Sequence, residues 1–397
     1  MKFLVIGEAV SLAHVVRPLR ISQALSELGH DVCFATDARE FGKFVPMNSA
    51  VRFRSLPSIG SRLFLTRTPG RRRSYAGRDI ENYLVDDRKL VDSENPECII
   101  HDFRISMNLL RGSVPCICPI VDAYWVTVPG EVFTLPPPQP GRVASIAYRF
   151  PAPVRGIFGY FVDRIGARPF DAAARSIGVR PLRRLSRYLL SGDHVLLPAT
   201  AETFPALRPK MSHAYLGHVE WTPDTQLLEP IADLEYDIYL SPGSSGPSEQ
   251  IPDILKWLGE LNLRTLLCTG TQPDSGEFHG GQIQVRRFVD GKDAARRARV
   301  TICNGGSPSV YQALSVGCPV LGITSNLDQA LCMRAFSGKE YVKNIPLALL
   351  DREKFISNLT SLLNGHNRSM IRHTVPASDI KANLSGFVAS IMNNKQG

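Results

Sequence analysis

The segment NGGSPSVYQALSVGCPVLGITSNLDQ combines residue types that suit a bound diphosphate. The apolar run VTIC, at 300 to 303, is predicted to be a buried strand, and the pattern predicts a helix over 308 to 316. The free N–H groups and positive dipole end of that helix attract an anion, and glycines let a diphosphate approach the backbone. An ordinary strand-to-helix turn is the alternative interpretation, because glycine pairs are common. The residues of this candidate phosphate site are Asn304, Gly305, Gly306 and Ser307.

Asp328 and Gln329 close the same segment, directly after a second predicted buried strand, PVLGIT. Because parallel strands end at one edge of a sheet, we expect these side chains beside the glycine loop. A carboxylate accepts two hydrogen bonds, and an amide both donates and accepts, which suits adjacent sugar hydroxyls. Asp328 has the alternative role of N-cap of the following helix. Together the two ends of the segment predict a site for a sugar attached to a diphosphate.

Short apolar runs alternate with helical patterns along the chain. The runs are FLVIG, DVCFAT, ECIIHD and PCICPIV in the first half, and YDIYLSPG, RTLLCTG, IQVRRF, VTICNGG and PVLGIT in the second. Continuous apolar strands separated by helices are typical of parallel sheets covered on both faces. The predicted fold class is therefore α/β, with two Rossmann-like doubly wound domains whose parallel sheets face a central cleft.

The chain length supports two domains, because 397 residues exceed the roughly 250 to 300 that one core usually serves. Residues 217 to 234 lack periodicity and are predicted to link the domains. We expect a first Rossmann-like domain over 1–216 and a second over 235–376. The last segment, 377–397, is predicted to be a helix, with packing back on the first domain as one option.

Positive charge is concentrated in the first half of the chain. Eight arginines and no acid lie between Arg52 and Arg78, and ten arginines with two acids lie between Arg142 and Arg187. Such clusters suit anionic ligands or an acidic membrane surface, while a solvated basic face is the plain alternative. The aromatic run GIFGYFV, at 156 to 162, could touch a membrane interface or be a core helix. Zinc-finger spacing and basic heptads do not occur, so nucleic acid is not a predicted partner.

The eight cysteines are scattered, mostly within apolar runs, which suits buried thiols in a reducing compartment. Cys116 and Cys118 share one face of a strand, yet no second pair completes a tetrahedral metal site. No apolar stretch reaches the ~20 residues of a transmembrane helix. We therefore predict a cytoplasmic protein without a resident metal.

The two ends of the chain resemble the family-one, UDP-glycosyltransferase-like enzymes of the GT-B fold. Their donor signature is His-Gly-Gly, a helix, Gly-x-Pro-x-Leu and a closing Asp-Gln, and Gly317, Pro319 and Leu321 match its middle part. The opening AHVVRPLRISQALSELGHDVCFATD is similar to the family's opening, with a histidine in the loop after the first strand. A bacterial subset has Asn-Gly-Gly-Ser where other members have His-Gly-Gly, and Asn304 matches that subset. The resemblance is thin between about 125 and 235.

The resemblance implies a catalytic pair. His14 matches the family's general base, and Asp102, which follows the strand in IIHD, matches its acidic partner. An imidazole can take a proton from an acceptor hydroxyl as that oxygen attacks C1 of the sugar with inversion. A loop histidine and a strand-end cap are the alternatives. His101 is expected on the opposite face of the strand.

The resemblance also implies that the domain over 1–216 binds the acceptor and that the domain over 235–376 binds the nucleotide sugar. It further implies how the donor is held. The loop SPGSSG supplies Ser244 and Ser245 as phosphate contacts, and with the helix N-terminus it stabilises the leaving group without a metal. Phe288 matches an aromatic that stacks on the nucleotide base, with core packing as the alternative, and Val289 offers backbone groups. A cofactor is not implied; the co-substrate is a UDP- or dTDP-linked sugar. The expected acceptor is a small, hydrophobic or lipid-like molecule.

The sequence departs from the family pattern at two places. Asn304 lacks the positive charge available to histidine. In the opening loop, Ala13 replaces glycine before His14, and Arg17 stands where proline is commoner, either approaching the donor phosphates or lying on the surface. These departures motivate an alternative function, a non-catalytic nucleotide-sugar binder or a partner subunit of an active transferase. A nicotinamide-dependent oxidoreductase is disfavoured because GEAVSLAH lacks the required glycines. The oligomeric state is left open.

Overall fold

The structure is a computed structural model that describes residues 1–45, 50–67, 74–127, 152–204, 212–244, 246, 248–271 and 282–394. The chain forms two compact units. Unit 1 contains the described residues of Met1–Phe133, Gly156–Trp221 and Ala377–Gly397, and unit 2 contains those of Thr134–Arg155 and Thr222–Pro376. The chain passes from one unit to the other inside the segment 217–234. The last segment of the chain groups with unit 1.

Unit 1 is built on a seven-stranded sheet in which every pairing is parallel and the strand order is β3-β2-β1-β4-β5-β6-β7. The chain runs outward from β1 to β3 and then returns to β4 on the other side of β1. Ligands of such sheets bind at this switch point, outside the carboxyl ends of the strands. The strands are β1 Lys2–Gly7, β2 Asp31–Thr36, β3 Arg52–Ser55, β4 Cys98–Asp102, β5 Ile117–Ile120, β6 Val195–Leu197 and β7 His213–Tyr215.

Unit 2 repeats the plan with six parallel strands in the order β10-β9-β8-β11-β12-β13. Its switch point lies between β8 and β11, where the loops predicted to bind phosphate begin. The strands are β8 Tyr236–Ser241, β9 Thr265–Cys268, β10 Ile283–Arg286, β11 Ala298–Cys303, β12 Val320–Thr324 and β13 Val342–Pro346.

Helices connect the strands and cover the sheets. Those of unit 1 are α1 Ala13–Glu27, α2 Ala38–Phe41, α3 Ser61–Arg67, α4 Gly77–Glu94, α5 Tyr124–Thr127, α6 Ala152–Ser176, α7 Leu185–Leu189 and α14 Ile380–Asn394. Those of unit 2 are α8 Ile251–Glu260, α9 Gly291–Arg297, α10 Ser307–Ser315, α11 Leu327–Ala335, α12 Arg352–Leu363 and α13 Arg368–Arg372.

Each unit has its own apolar core beneath these helices. In unit 1 a cluster joins strands β1, β2 and β4 to helices α4 and α6, with Leu4 and Ile99 fully buried. In unit 2 a cluster joins β8, β11 and β12 to α8 and α12, with Ile302 and Phe355 fully buried. The apolar runs of the sequence therefore form the central strands, and the predicted α/β class with two parallel-sheet domains is confirmed.

No helix in the described ranges is both long enough and apolar enough to cross a membrane.

Candidate functional site

His14 and Asp102 are in contact in unit 1. β1 and β4 are neighbours, with Gly7 opposite Asp102 in the register, so the loop after β1 runs beside the carboxylate. The sequence predicts a loop at His14, but α1 starts at Ala13, so His14 stands in its first turn. The Nδ1 atom of His14 lies 2.7 Å from Oδ1 of Asp102, with side chains 24% and 1% exposed. The histidine is thus open to a ligand and the carboxylate is not.

The close packing of α1 on β1 depends on a glycine. A Cβ atom on Gly7 would lie 2.7 Å from the carbonyl oxygen of His14 and 3.1 Å from the Cα atom of Val15. Carbon atoms cannot approach so closely, so any larger residue at Gly7 would displace the first turn of α1. The position of the imidazole is therefore set by backbone packing at the end of β1.

Arg17 lies one turn further along α1 and binds the same carboxylate. Its Nε atom donates to Oδ2 of Asp102 at 2.6 Å, and its Nη1 atom donates to both carboxylate oxygens of Asp122 at 3.0 Å. The arginine is only 7% exposed. It is therefore neither a surface residue nor a ligand for donor phosphates, because its guanidinium is occupied by two buried carboxylates.

These contacts keep Asp102 ionised. Burial raises the pKa of its carboxyl group, but the guanidinium of Arg17 and then His14 outweigh burial and lower the pKa to about 2. Burial also lowers the pKa of Arg17, and the two carboxylates raise it well above its ordinary value. A carboxylate can only accept a hydrogen bond, so Nδ1 of His14 carries the proton. The Nε2 atom is then left with its lone pair.

Phe103 supports the histidine from one face. Its ring stacks on the His14 imidazole with centroids 4.8 Å apart and an interplanar angle of 15°. The backbone of Phe103 has φ of 62°, a left-handed conformation that is strained for a bulky residue. The next residue, Arg104, is fully buried and ion-paired with Glu8 and Asp87. This anchor directly follows the strained residue and explains how the strain is sustained.

His101, beside Asp102 in β4, points away from the pair. Its Nε2 atom lies 2.9 Å from Oδ1 of Asn108, and the side chain is buried. Burial lowers the pKa of His101 to about 4, so this imidazole is neutral and structural.

In unit 2, the predicted phosphate loop follows β11 and contacts the loop after β8. The side-chain oxygen of Asn304 accepts a hydrogen bond from the N–H of Gly306 at 2.9 Å. A Cβ atom on Gly243, in the β8 loop, would lie 2.8 Å from Nδ2 of Asn304. Asn304 therefore forms a hydrogen bond within its own loop and lies close to the loop after β8, a role that the sequence did not predict.

The glycine pair is required by backbone geometry. Gly305 has φ of 78°, and a Cβ atom there would lie 2.7 Å from Cγ of Met333 and 2.8 Å from Cγ2 of Thr324. Gly306 is the N-cap of α10, whose first residue is the buried Ser307. Helix α10 thus follows the glycine pair as predicted, and it begins one residue earlier than the sequence pattern indicated. Its first N–H groups lie at the loop.

The Asp-Gln pair lies in the first turn of α11, after β12. The N-cap of that helix is Asn326, whose side chain accepts from the N–H of Gln329 at 3.0 Å, so Asp328 is not the N-cap. The Gln329 side chain is buried, and its Oε1 atom accepts from the N–H of Ser325 at 2.8 Å. This amide therefore also holds the loop that precedes it.

The remaining predicted donor residues differ in accessibility. Ser244 lies in the turn after β8 and is partly exposed, whereas Ser245 lies outside the described residues. Phe288 and Val289 are 7% and 5% exposed, and the carbonyl of Phe288 accepts from the N–H of Glu229 at 2.8 Å. Little of the Phe288 ring is accessible, which favours core packing over base stacking.

Three thiols lie together at the start of β4, at the end opposite to Asp102. Cys98 joins Cys116 and Cys118 to form a buried group whose sulfur atoms are within 4.8 Å of one another. Cys98 is the first residue of the strand and Asp102 the last. The thiols are therefore separate from the candidate site.

Asp122 and Phe103 were not identified as site residues from the sequence, although the sequence contains a signal for Asp122. Asp122 directly follows the apolar run PCICPIV, just as Asp102 ends ECIIHD. The rule that singles out a polar residue after a parallel strand therefore applies to both acids. The φ angle of Phe103 leaves no trace in the residue type.

Comparisons with known proteins agree with this architecture. The chain is 32% identical to a PGL/p-HBAD biosynthesis glycosyltransferase of Mycobacterium tuberculosis over an alignment of 351 residues, which covers 84% of this chain and 78% of that relative. It is 31% identical over 346 residues to a PGL/p-HBAD biosynthesis rhamnosyltransferase of Mycobacterium bovis, covering 84% of the chain and 74% of the relative. An inactive PGL/p-HBAD biosynthesis glycosyltransferase of Mycobacterium bovis is 30% identical over 273 residues, 66% of the chain and 71% of the relative.

Solved structures show the same fold at lower identity. The glycotransferase of kitacinnamycin matches with a TM-score of 0.66 at 16% identity, covering 94% of both chains. The spinosyn forosaminyltransferase matches with a TM-score of 0.66 at 13% identity, covering 98% of this chain and 99% of that one. A scan against protein-family models found no match. The identity and coverage of the mycobacterial relatives show that the chain belongs to the glycosyltransferase family of the PGL/p-HBAD biosynthesis proteins, with the GT-B fold.

Proposed function

We propose that the protein is an inverting, metal-independent glycosyltransferase that moves a hexosyl group from a UDP- or dTDP-linked sugar to a hydroxyl of a small, hydrophobic or lipid-like acceptor. The observation that carries the proposal is the contact of 2.7 Å between the partly exposed His14 and the buried, ionised Asp102. This contact fixes the tautomer that a general base needs. The cytoplasm, where nucleotide sugars occur, is the proposed location.

His14 takes the role of base through its Nε2 atom. As the acceptor oxygen forms its bond to C1 of the sugar, the hydroxyl proton passes to Nε2 and the bond from C1 to the diphosphate breaks. The nucleotide diphosphate leaves with the electron pair, and attack opposite to it inverts the anomeric centre. Asp102 then faces a positively charged imidazolium, and this attraction lowers the barrier.

The donor diphosphate is assigned to the loops after β8 and β11. Gly305 and Gly306 bring the backbone within reach of the phosphates, and the first N–H groups of α10 and the Ser244 hydroxyl are donors for developing charge. Asp328, in the first turn of α11, is the candidate for the sugar hydroxyls. These donors give the leaving group its stabilisation without a metal, which a transfer assay with and without a chelator would test.

The relatives support the substrate classes. Two carry the names PGL/p-HBAD biosynthesis glycosyltransferase and rhamnosyltransferase, which identify them as sugar transferases of one biosynthetic route. We infer a nucleotide-linked hexose or deoxyhexose as donor for this chain as well.

The test is the variant His14→Ala, assayed with a panel of nucleotide sugars and acceptors. Removing a general base should lower kcat by about 10²- to 10⁴-fold. The affinity for UDP or dTDP, measured by calorimetry or by a thermal shift, should stay nearly unchanged. His30→Ala, also in unit 1 but outside the site, is the matched control and should retain activity.

An equal loss of transfer and of nucleotide affinity in His14→Ala would make His14 a structural residue. Retention of the anomeric configuration in the product would contradict single-step inversion.

A second function, a nucleotide-sugar binder without transfer activity or a partner subunit of an active transferase, has two specific observations in its favour. One relative bears the word inactive in its name, and Asn304 replaces the histidine expected at the phosphate loop. This function predicts a thermal shift with UDP or dTDP and no product with any acceptor. Restored turnover in Asn304→His would show that this position limits catalysis.

A further inference from the structure

Helix α6 carries an apolar and basic stripe on its exposed side. From Ile157 onward, several exposed positions are separated by three, four or seven residues, which places them along one face over about 27 Å. The first part of the stripe is apolar, with Ile157 59%, Tyr160 41% and Phe161 55% exposed. The second part is basic. The stripe, called the α6 face below, consists of Ile157, Tyr160, Phe161, Arg164, Arg168 and Arg175.

The basic part of the α6 face borders a concavity. Its volume is about 440 Å³, and its lining combines four arginines with one acid and one exposed aromatic ring. The single acid, Asp171, accepts hydrogen bonds from the N–H of Arg183 at 3.0 Å and from the Tyr188 hydroxyl at 2.8 Å. The lining consists of Phe161, Arg164, Ile165, Arg168, Asp171, Arg175 and Arg183.

The arginines of the α6 face differ from those of the other basic cluster. Arg52, Arg54 and Arg67 are matched by acids, with Nη1 of Arg52 2.7 Å from Glu94 and Nη1 of Arg67 2.7 Å from Asp79. In the described part of the chain, no carboxylate lies within ion-pair distance of Arg164, Arg168 or Arg175. Exposed guanidinium groups without a facing carboxylate among the described residues create a positive field that attracts an anionic partner.

We propose that the α6 face docks on an anionic phospholipid surface, with the arginine-lined concavity taking a lipid phosphate. Guanidinium groups bind phosphate oxygens in pairs of parallel hydrogen bonds. Aromatic and aliphatic side chains beside a row of basic ones are the composition of helices that lie in the membrane interface. The arginines and the apolar side chains lie on the same side of one helix. A basic face that is only solvated by water would not need apolar side chains beside its charges.

Vesicle cosedimentation tests the proposal without any sugar donor or acceptor, so its outcome is independent of the transfer chemistry. The full chain should sediment with vesicles of equal parts phosphatidylcholine and phosphatidylglycerol, and much less with phosphatidylcholine alone. Binding should weaken between about 0.1 M and about 1 M salt, because the screening length falls from ~10 Å to ~3 Å.

Charge removal locates the binding to α6. Each arginine near an anionic surface contributes about 1 kcal/mol, or roughly fivefold in affinity. The triple variant Arg164→Gln, Arg168→Gln, Arg175→Gln should therefore lose on the order of 100-fold in vesicle affinity. A matched triple, Arg62→Gln, Arg88→Gln, Lys89→Gln, removes the same charge from exposed positions of unit 1 and should lose far less.

The apolar part has its own variant. Phe161→Ser should reduce the binding that survives at high salt while leaving the melting temperature unchanged.

Several outcomes overturn the proposal. Equal losses in the two triple variants would mean a general charge effect, and equal sedimentation with neutral vesicles would remove the role of the arginines. Competition of vesicle binding by inorganic phosphate at millimolar concentration would point to a soluble anion instead. A change of oligomeric state in the α6 variants, without a change in vesicle binding, would make this face an interface between copies of the chain.

Discussion

Asp102 contacts both a histidine and an arginine, and the arginine affects how well Asp102 could orient the proposed general base. A guanidinium beside a carboxylate weakens the attraction of that carboxylate for a developing imidazolium. Asp122 restores the balance because it binds the other side of Arg17. The four groups then carry one net negative charge before the proton reaches His14 and none afterwards. If His14 is the base, Asp122 is therefore expected to act as a positioning residue that keeps Asp102 effective.

Asp122→Asn tests this role through the pH dependence of transfer. Loss of the negative charge disfavours protonated His14, so the acid limb of the kcat/KM profile should move to lower pH. The plateau rate should fall by roughly tenfold, because about 1.4 kcal/mol of imidazolium stabilisation is a modest share of a general-base effect. The measurement is a pH–rate profile of both proteins. An unchanged acid limb with a lower plateau would mean that Asp122 is only a structural partner of Arg17.

The lowered pKa of Asp102 also predicts how acid affects stability. A fall from 3.8 to about 2 corresponds to roughly 2.5 kcal/mol of folding free energy that is present above pH ~4. Because the folded state has the lower pKa, this contribution is lost as the pH falls from about 4 to about 2. Asp102→Asn, which cannot ionise, should be about 3 kcal/mol less stable than the wild type at pH 7. Urea unfolding at pH 7 and near pH 3 should show the difference shrinking; a constant difference would contradict the assignment.

The loop between β11 and α10 is the element proposed to bind the donor diphosphate. Gly305→Ala places a Cβ within 2.8 Å of two side chains at a φ of 78°. The expected result is a loss of about 1 to 3 kcal/mol in stability, together with a weaker affinity for UDP or dTDP. Gly259→Ala, in helix α8 with no atom within 4 Å of the new Cβ, is the control. It should be neutral or slightly stabilising, because alanine favours helix.

An unaltered nucleotide affinity in Gly305→Ala would contradict the placement of the diphosphate at this loop. The affinities of both variants should be read by calorimetry, so that a loss of folding is separated from a loss of binding.

The central strands were predictable because a strand buried on both faces is a continuous run of apolar residues in the sequence. FLVIG and ECIIHD are continuous apolar runs and form β1 and β4 at the middle of their sheet. The strands β3, β6, β7 and β13 were missed. β3 reads RFRS and β6 and β7 have three residues each, so their pairing is decided by the neighbouring strand rather than by their own pattern.

The candidate site was predictable only in part, for a related reason. His14 lies at the start of α1 and Asp102 at the end of β4, two elements that the sequence predicts. Their contact therefore follows from the register of β1 and β4. The burial of Arg17 depends on carboxylates 85 and 105 positions away along the chain. The backbone of Phe288 likewise contacts the distant 217–234 segment, where the N–H of Glu229 donates to its carbonyl. Such long-range contacts are not encoded in local residue types.

The molecule consists of two units with separate cores, which has a consequence for unfolding. Each core is assembled from the strands and helices of its own unit, so either unit can lose its packing without directly removing the buried contacts of the other. Proteins of this kind commonly depart from a single cooperative transition.

Differential scanning calorimetry of the wild type should resolve two unfolding transitions, and three perturbations should assign them. UDP or dTDP at about 100 times its Kd adds ~2.7 kcal/mol to the state that binds it. It should raise only the transition that Gly305→Ala lowers, because both act on unit 2. Asp102→Asn should lower the other transition, since the carboxylate anchors α1 within unit 1. One transition that responds to all three perturbations alike would show that the units unfold together, and a nucleotide effect on the Asp102-sensitive transition would move the donor site to unit 1.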